Sequence, residues 1–299
     1  MKPCWPLLTS LALLLPARTF AAACCGGGFA APALILGDDL AKITTSYTYS
    51  SIVSDVGADT YWRGLDVNES SETIKLDAAR VFADRWQSGV SVPVVRRTKA
   101  GVASTGVGDV TASLGYEYLP DWDYNPWRPR GLGFVQLIVP TGKSIDDASA
   151  TYELDSRGRG YWSLALGTIL TKAWGAWDVF ASLDGHRSLA RDFQSADFHG
   201  SLHPSYGGNW GFGAGWSYFA LRLGASLTWS YEDPVGVTGT VTSPGSPQRF
   251  AAATVTASYM LSDLWAGTLT YADQTRFGSP INTTLGRGVT LLVQRRWER

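Results

Sequence analysis

The sequence predicts an all-β protein: a single closed antiparallel transmembrane β-barrel of about 12 strands, with short periplasmic turns and longer extracellular loops. Three observations favour this fold class. Apolar and polar residues alternate in segments that recur from residue 41 onwards, and a period of two is that of a strand with one apolar face. The polar face consists mainly of Gly, Ala, Ser and Thr, which suits a barrel interior better than a surface in water. Short and long connections alternate, and tryptophans recur beside the short ones.

The alternation is clearest between Leu221 and Tyr231, where every second residue is apolar. A soluble β-sandwich also alternates, so the small polar face, the loop pattern and the tryptophans decide in favour of a barrel. An even number of strands leaves no unpaired edge in lipid and places both chain ends in the periplasm. We predict strands at residues 41–55, 71–82, 86–97, 107–119, 131–141, 160–171, 176–187, 199–217, 220–231, 249–261, 265–276 and 287–297.

The short connections share one form, seen in residues 82–86, 170–174 and 261–265. In each, an apolar residue ends a strand, a tight polar turn follows, and a tryptophan stands four positions on. Short turns on one side and long loops on the other are typical of outer-membrane barrels, in which the short turns are periplasmic. Indole rings favour the headgroup level of a bilayer. We therefore expect an interfacial girdle formed by Trp86, Trp122, Trp174, Trp177, Trp216, Trp265 and Trp297.

The N-terminus predicts export. Lys2 precedes the apolar stretch 7–15, which is too short to span a bilayer, and small residues at 21–23 suit signal peptidase. We expect residues 1–23 to be a signal peptide, residues 24–40 to be a Gly-rich linker or lumen plug, and residues 41–299 to form the barrel. Cys24 follows the small residues, so its lipidation is an alternative fate. The expected location is the outer membrane of a Gram-negative bacterium.

Several charged residues fall on the polar, inward face of the predicted strands. Their mixed signs favour internal ion pairs over a selectivity ring. A barrel of about 12 strands lies between the filled eight-stranded barrels and the open porins, so either an open or a filled lumen is compatible with the sequence. The residues expected to face the lumen are Lys75, Asp77, Arg97, Asp109, Glu117, Asp178, Asp184, Arg222 and Glu232.

Part of the chain resembles a known family. Gly106-Val-Gly-Asp-Val-Thr-Ala-Ser-Leu-Gly-Tyr-Glu-Tyr118 is followed by Phe134-Val-Gln-Leu-Ile-Val-Pro-Thr-Gly142, a long loop and the alternating segment 161–183. This order, over roughly residues 106–188, is similar to that of the meta-pathway phenol-degradation outer-membrane proteins. The resemblance implies passage of hydrophobic aromatic compounds across the outer membrane. It carries no functional residues over to this chain.

The main functional expectation is a porin-like channel or transporter for small hydrophobic or aromatic solutes, with no cofactor. The alternative is a barrel with a filled lumen whose loops serve adhesion or surface protection. The expected partners are outer-membrane lipids, the barrel-assembly machinery and a small-molecule solute. No basic patch indicates nucleic acid, since the formal net charge of the chain is −1.

A lipid hydrolase is a third, less favoured hypothesis. His203 and Ser205 are two apart, as in outer-membrane phospholipases, and Asn209 shares their predicted face. The predicted face is inward, away from lipid, and Tyr206 departs from the phospholipase pattern, so we do not expect an enzyme. No metal site is expected either, because His199 and His203 are ~13 Å apart in a strand, too far to share one ion.

Overall fold

A computed structural model describes residues 32–122, 125–194, 199–240 and 242–298, and these residues form an all-β structure. Twelve of its strands are long. They are β1 (Asp39–Val56), β3 (Glu69–Phe82), β4 (Trp86–Lys99), β6 (Val110–Leu119), β7 (Arg130–Val139), β8 (Ser163–Trp174), β9 (Trp177–Ser188), β12 (Tyr206–Tyr218), β13 (Leu221–Glu232), β15 (Gln248–Met260), β16 (Trp265–Asp273) and β17 (Thr283–Glu298). Shorter strands lie between them: β2 (Trp62–Gly64), β5 (Val102–Val107), β10 (Arg191–Gln194), β11 (His199–His203) and β14 (Gly236–Gly239).

The twelve long strands close into one barrel. Each pairs antiparallel with the long strands before and after it in the chain, and β1 pairs with β17 from Asp39–Glu298 to Val56–Thr283. Closure gives every strand two hydrogen-bonded neighbours, so no backbone edge faces the surroundings. The predicted fold class and strand number are confirmed. Within the described residues, no helix has the length and apolar character needed to cross a bilayer.

The two ends of the barrel differ. Four tight turns and both ends of the barrel chain lie at one end, which we call the hairpin end. The turns join β3 to β4, β8 to β9, β12 to β13 and β15 to β16, and residues in the first three turns adopt positive φ, namely Ala83, Asp84, Gly175 and Phe219. The opposite end, which we call the loop end, carries the longer connections, including residues 57–68, 140–162 and 233–247.

The outer face of the barrel is apolar. Side chains such as Leu166, Leu183 and Leu291 are 68%, 59% and 55% exposed, whereas the residues that alternate with them are polar or small. A soluble protein would not leave a whole sheet face of aliphatic side chains in water. Near the hairpin end the belt becomes aromatic, with exposed indole rings at Trp86, Trp122, Trp174, Trp177, Trp216 and Trp265, and a half-exposed one at Trp297.

One predicted strand is wrong. Residues 199–217 form two strands, β11 and β12, and not one. Pro204 stands between them and has no N–H to donate to a ladder. β11 leaves the barrel wall and pairs with β10 and β14 in a small three-stranded sheet at the loop end. Similarly, the strand predicted at 107–119 begins at Val110. The preceding strand, β5, pairs with residues 94–99 of β4, near the loop end, and a break at residues 108–109 separates it from β6.

Candidate functional site in the barrel lumen

The chain immediately before β1 lies inside the barrel at the hairpin end. We call residues 32–38 the N-terminal segment. The side-chain amide of Gln87 accepts a hydrogen bond from the Ile35 N–H (2.6 Å) and donates one to the Ile35 carbonyl (3.1 Å). Three further side chains donate to carbonyls of the segment: Ser113 to Ala33 (3.3 Å), Lys42 to Leu34 (3.0 Å) and Arg130 to Leu36 (3.2 Å). The barrel wall thus satisfies the backbone polar groups of a segment that has no secondary structure of its own.

The side chains of the N-terminal segment fill apolar positions of the inner wall. Leu34 is 4% exposed and packs against Leu132 and Phe134, with Ile169 beside them. Ile35 is 3% exposed and packs against Ala79 and Val81. The wall residues in these contacts belong to β3, β7 and β8. The alternation of the sequence therefore does not make the lumen wholly polar, and the segment covers the apolar wall residues of these two clusters.

Glycines of the inner wall leave room for the N-terminal segment. A Cβ added at Gly89 would lie 1.8 Å from the Ala33 carbonyl oxygen, and one at Gly115 would lie 3.0 Å from the Leu34 side chain. Gly89 thus permits an approach of two backbones that any other residue would prevent. The inner surface of β4 and β6 is shaped for the segment that lies on it.

Ion pairs line the lumen beside the N-terminal segment. The Glu117 carboxylate accepts a hydrogen bond from Arg130 Nε at 2.5 Å, and Arg130 also reaches Asp38 at 3.0 Å. On the other side of the lumen, Arg222 donates two hydrogen bonds to Asp178, of 2.8 and 2.5 Å. The Glu117–Arg130 pair has side chains only 7% and 19% exposed, whereas both partners of the Asp178–Arg222 pair are about one-third exposed (29% and 36%). The second pair stands one residue from the hairpin turns and therefore borders solvent-accessible space at the hairpin-end mouth of the lumen.

The loop of residues 140–162 folds inward at the loop end. Leu154 and Ser156 in this loop are fully buried. Arg97 of β4 donates to the carbonyls of Glu153 (3.2 Å) and Ser156 (3.1 Å), and forms a salt bridge with Glu69 at 3.0 Å. The loop is thereby fastened to the inner wall of β3 and β4.

Both ends of the inward loop are fastened by Asp109, and its second end is also fastened by Glu232. Asp109 accepts hydrogen bonds from the backbone N–H groups of Gly142 (2.9 Å) and Arg159 (2.7 Å). Glu232 of β13 accepts from Arg159 at 2.7 Å and contacts His186 Nε2 at 2.8 Å. The loop thus spans the lumen between β6 and β13.

Inside the loop, Asp155 holds the fold of the loop itself. Burial alone would raise the pKa of its carboxyl, but the Lys143 ammonium at 2.5 Å and the backbone N–H groups of Ala150 and Ser149 outweigh burial, so the pKa is well below its usual range. Asp147 and Arg191 form a further ion pair that joins the loop to β10. The loop is a folded element with its own hydrogen-bond network.

The nine charged residues expected in the lumen all project to the inner side of the wall or into the mouth at the loop end. Lys75 and Asp77 contact each other at 3.1 Å, and Asp184 accepts from Asn209 at 2.9 Å. Sequence reasoning missed their partners, because these stand on other strands or in the inward loop: Glu69, Arg130, Arg159 and His186. The sequence alone could have indicated that Arg130 is paired. It begins a strand that carries apolar inward residues, and a charge in such surroundings needs a partner.

The residues of the hydrolase hypothesis do not come together. His203 belongs to the small sheet, where its Nε2 lies 2.9 Å from Thr238 Oγ1, while Asn209 lies in the barrel wall. Within the described residues, no hydrogen bond joins His203 to Ser205. The shared face predicted for the three residues is wrong, because the chain breaks at Pro204. The signal peptide and Cys24 lie outside the described residues.

These features define a membrane-spanning, twelve-stranded up-and-down barrel whose lumen holds an inward loop and an N-terminal segment. A likeness to a solved outer membrane channel from Pseudomonas putida F1 agrees with this class: the TM-score is 0.72 and the identity 17%, over 88% of this chain and 97% of the channel. A monoaromatic hydrocarbon channel, a TodX deletion mutant, gives a TM-score of 0.47 at 10% identity, over 88% of this chain and 91% of that one. The KdgM porin in complex with oligogalacturonate gives 0.43 at 10%, over 84% and 98%. No family model and no curated protein matches this chain.

Proposed function

We propose that the protein is an outer-membrane channel for small hydrophobic solutes, with the hairpin end in the periplasm and the loop end outside the cell. The observation that carries the proposal is the lumen. Its inner wall bears inward-facing apolar side chains, and each of its mouths holds a segment without regular strands, the N-terminal segment at one end and the inward loop at the other. The likeness in fold to the Pseudomonas putida channel supports the channel class.

The inward-facing apolar side chains support a hydrophobic solute. Leu132, Phe134 and Ile138 of β7 point inward and are each 5% exposed. Phe180 of β9 also points inward, since a Cβ at the inward Gly213 would lie 2.5 Å from its ring. Apolar walls beside a few polar groups are what a small hydrophobic ligand requires. The similarity of residues 106–188 to the phenol-degradation family supports the same solute class.

Passage requires that the N-terminal segment leaves the inward-facing apolar side chains. Leu34 contacts Leu132 and Phe134, so it occupies the surface that a hydrophobic solute would use. The solute and the segment would therefore compete for the same apolar contacts. The inward loop restricts the other mouth through Arg97, Asp109 and Glu232. The conformation with the segment and the loop in place is then the closed form, and transport depends on a minor, open form.

The test is single-channel recording in planar bilayers together with uptake of a fluorescent aromatic hydrocarbon into liposomes. We expect rare openings for the full mature chain and frequent openings when residues 32–37 are deleted. The same deletion should raise the uptake rate, with an outer-membrane barrel of filled lumen as the negative control. A silent deletion variant that still migrates as a heat-modifiable barrel would overturn the proposal and favour the alternative of a filled, loop-functional surface barrel.

A further inference from the structure

The outer face of β9, β12, β13 and β15 carries a patch unlike the rest of the lipid-facing belt. Exposed arginines stand at its two sides near the loop end, Arg187 on β9 and Arg249 on β15. Tyr206 and Tyr231 lie between them and are 55% and 46% exposed. Arg187 pairs with Tyr206 across the strands, and Tyr231 pairs with Arg249, so all four side chains point outward. Each arginine is therefore seated beside a phenol ring on the outside of the barrel.

The arginines are held but not neutralised by these contacts. The Arg187 guanidinium lies 4.7 Å from the centre of the Tyr206 ring, an arrangement that orients the charge without cancelling it. Arg249 donates from Nε to the Ser279 carbonyl at 2.7 Å, which fixes its direction. Asp233 follows Tyr231 by two residues and acts on its hydroxyl, so an acidic residue also lies beside the patch. The strands that carry the two arginines, β9 and β15, are three strand spacings apart, roughly 14 Å.

A cluster of aromatic rings lies directly beneath the arginines, toward the middle of the barrel. Trp210 and Trp229 stack with ring centroids 3.9 Å apart and planes 4° from parallel. Phe212 and Phe277 pack against Trp229 at 5.8 and 5.5 Å. This places a rigid apolar surface at the depth where acyl chains begin, next to cations at the depth where headgroups lie.

A notch separates the arginines from the rings. Gly185 and Gly208 pair with each other and both face outward, so two adjacent positions of the patch have no side chain. A Cβ at Gly185 would have no atom nearer than 3.8 Å. The notch is bordered by Arg187, Tyr206, Tyr231, Trp210 and Leu183.

We propose that this patch binds the lipid A part of lipopolysaccharide, with its phosphates on Arg187 and Arg249 and its acyl chains on the aromatic cluster. The inference rests on the proposed outer-membrane location, which puts the loop end in the leaflet that contains this lipid. Two cations on strands about 14 Å apart exceed the reach of one phospholipid phosphate, whereas a disaccharide with a phosphate at each end offers two. A guanidinium group also matches a phosphate with two parallel hydrogen bonds.

The charges on the neighbouring strands agree with an anionic ligand. Asp273 on the outer face is 3% exposed and is shared by Arg287 at 3.1 Å and Arg276 at 3.4 Å. Two cations on one carboxylate leave a positive surplus that extends the patch around the barrel. Among the described residues on this part of the outer surface, the four arginines Arg187, Arg249, Arg276 and Arg287 stand against the two carboxylates of Asp233 and Asp273.

The experiment uses the full mature chain, refolded in detergent from inclusion bodies so that it carries no lipopolysaccharide. Native mass spectrometry measures the binding of diphosphoryl lipid A, monophosphoryl lipid A and phosphatidylglycerol. We expect diphosphoryl lipid A to bind tightest, and a double variant, Arg187→Gln with Arg249→Gln, to weaken it by about tenfold or more because charge-assisted hydrogen bonds are lost. Gly185→Leu should also weaken binding, because it fills the notch. The matched control is Arg96→Gln, an exposed arginine near the loop end on the opposite side of the barrel.

Three outcomes overturn the proposal: equal binding of phosphatidylglycerol, an unchanged affinity in the double variant, or an equal loss in Arg96→Gln. Heat-modifiable migration of each variant shows that it is folded. Channel recordings in bilayers without lipopolysaccharide keep this test separate from the proposed function. A silent barrel that binds lipid A refutes the channel alone, and a conducting barrel that ignores lipid A refutes the patch alone.

Discussion

Gly89→Ala tests the closure of the hairpin end with the smallest possible change. The added methyl group would lie 1.8 Å from the carbonyl oxygen of Ala33, far inside the contact distance of two heavy atoms. That oxygen belongs to the backbone of the N-terminal segment, so no side-chain rotation can relieve the clash. Gly89 itself is paired with Ala79 and Ser113 on its two neighbouring strands and cannot move away. We therefore expect the segment to be displaced.

The structure indicates that the segment is held by nearly balanced free energies. Burying Leu34 and Ile35 contributes roughly 3–6 kcal/mol. The five hydrogen bonds between the segment and Gln87, Ser113, Lys42 and Arg130 contribute about 0.5–1.5 kcal/mol each. Ordering the six residues 33–38 costs about 1–2 kcal/mol for each backbone unit. The contributions and the cost agree to within a few kcal/mol, so the loss of two or three hydrogen bonds moves the equilibrium by about tenfold or more.

The assay is the open probability of single channels in planar bilayers. We expect Gly89→Ala to raise it by at least about tenfold over the unsubstituted protein. The matched control is Gly267→Ala, since a Cβ there lies no nearer than 4.0 Å to any neighbour. Equal open probabilities in the two variants, with both barrels folded by gel migration, would refute the reasoning that the segment closes the lumen.

Three further predictions concern other parts of the lumen and the small sheet. The lowered pKa of Asp155 stabilises the inward loop at every pH above the ordinary carboxyl range, and that stabilisation is lost as the pH falls through the lowered value. Channel currents should therefore be constant between about pH 5 and 8. Asp155→Asn weakens the contact with Lys143, so this variant should open the loop end at pH 7. Arg222→Ala leaves the Asp178 carboxylate facing the lumen, so the reversal potential in a KCl gradient should shift toward cation selectivity, and Asp178→Asn should shift it the opposite way. Ser205→Ala should leave any lipid hydrolysis by the purified protein unchanged; a specific loss of hydrolysis in that variant would revive the hydrolase hypothesis.

The wall of the barrel was largely predictable because its rule is local. In β13, from Leu221 to Glu232, each outward residue meets hydrocarbon and each inward residue meets the lumen, so polarity alternates whatever the partner strands are. Tight turns were readable for the same reason. The prediction failed at residues 199–217, where a period of two continues across Pro204 although the chain leaves the barrel. Periodicity identifies a strand, but it does not say which sheet the strand joins.

The contents of the lumen were not predictable to the same degree. Sequence reasoning left residues 24–40 open between linker and plug. Of the described part, residues 32–38 lie on the inner wall, and Asp39 and Leu40 already belong to β1. Gln87 and Gly89 are the wall residues that contact the segment, yet no sequence pattern around them identifies Ile35 or Ala33 as the partner. Such pairs join residues more than fifty positions apart. Only closure of the sheet brings them together.

The sequence by itself determined that this chain forms strands with an apolar outer face and how many strands there are. It also determined at which end the short turns and tryptophans lie. Each of these features follows from contacts within a few residues or with lipid. The tertiary structure alone decided what occupies the lumen and which charges meet there or on the outer surface. Arg159 reaches Glu232, and Arg187 stands three strands from Arg249, only because a closed cylinder places distant strands at fixed positions around one axis.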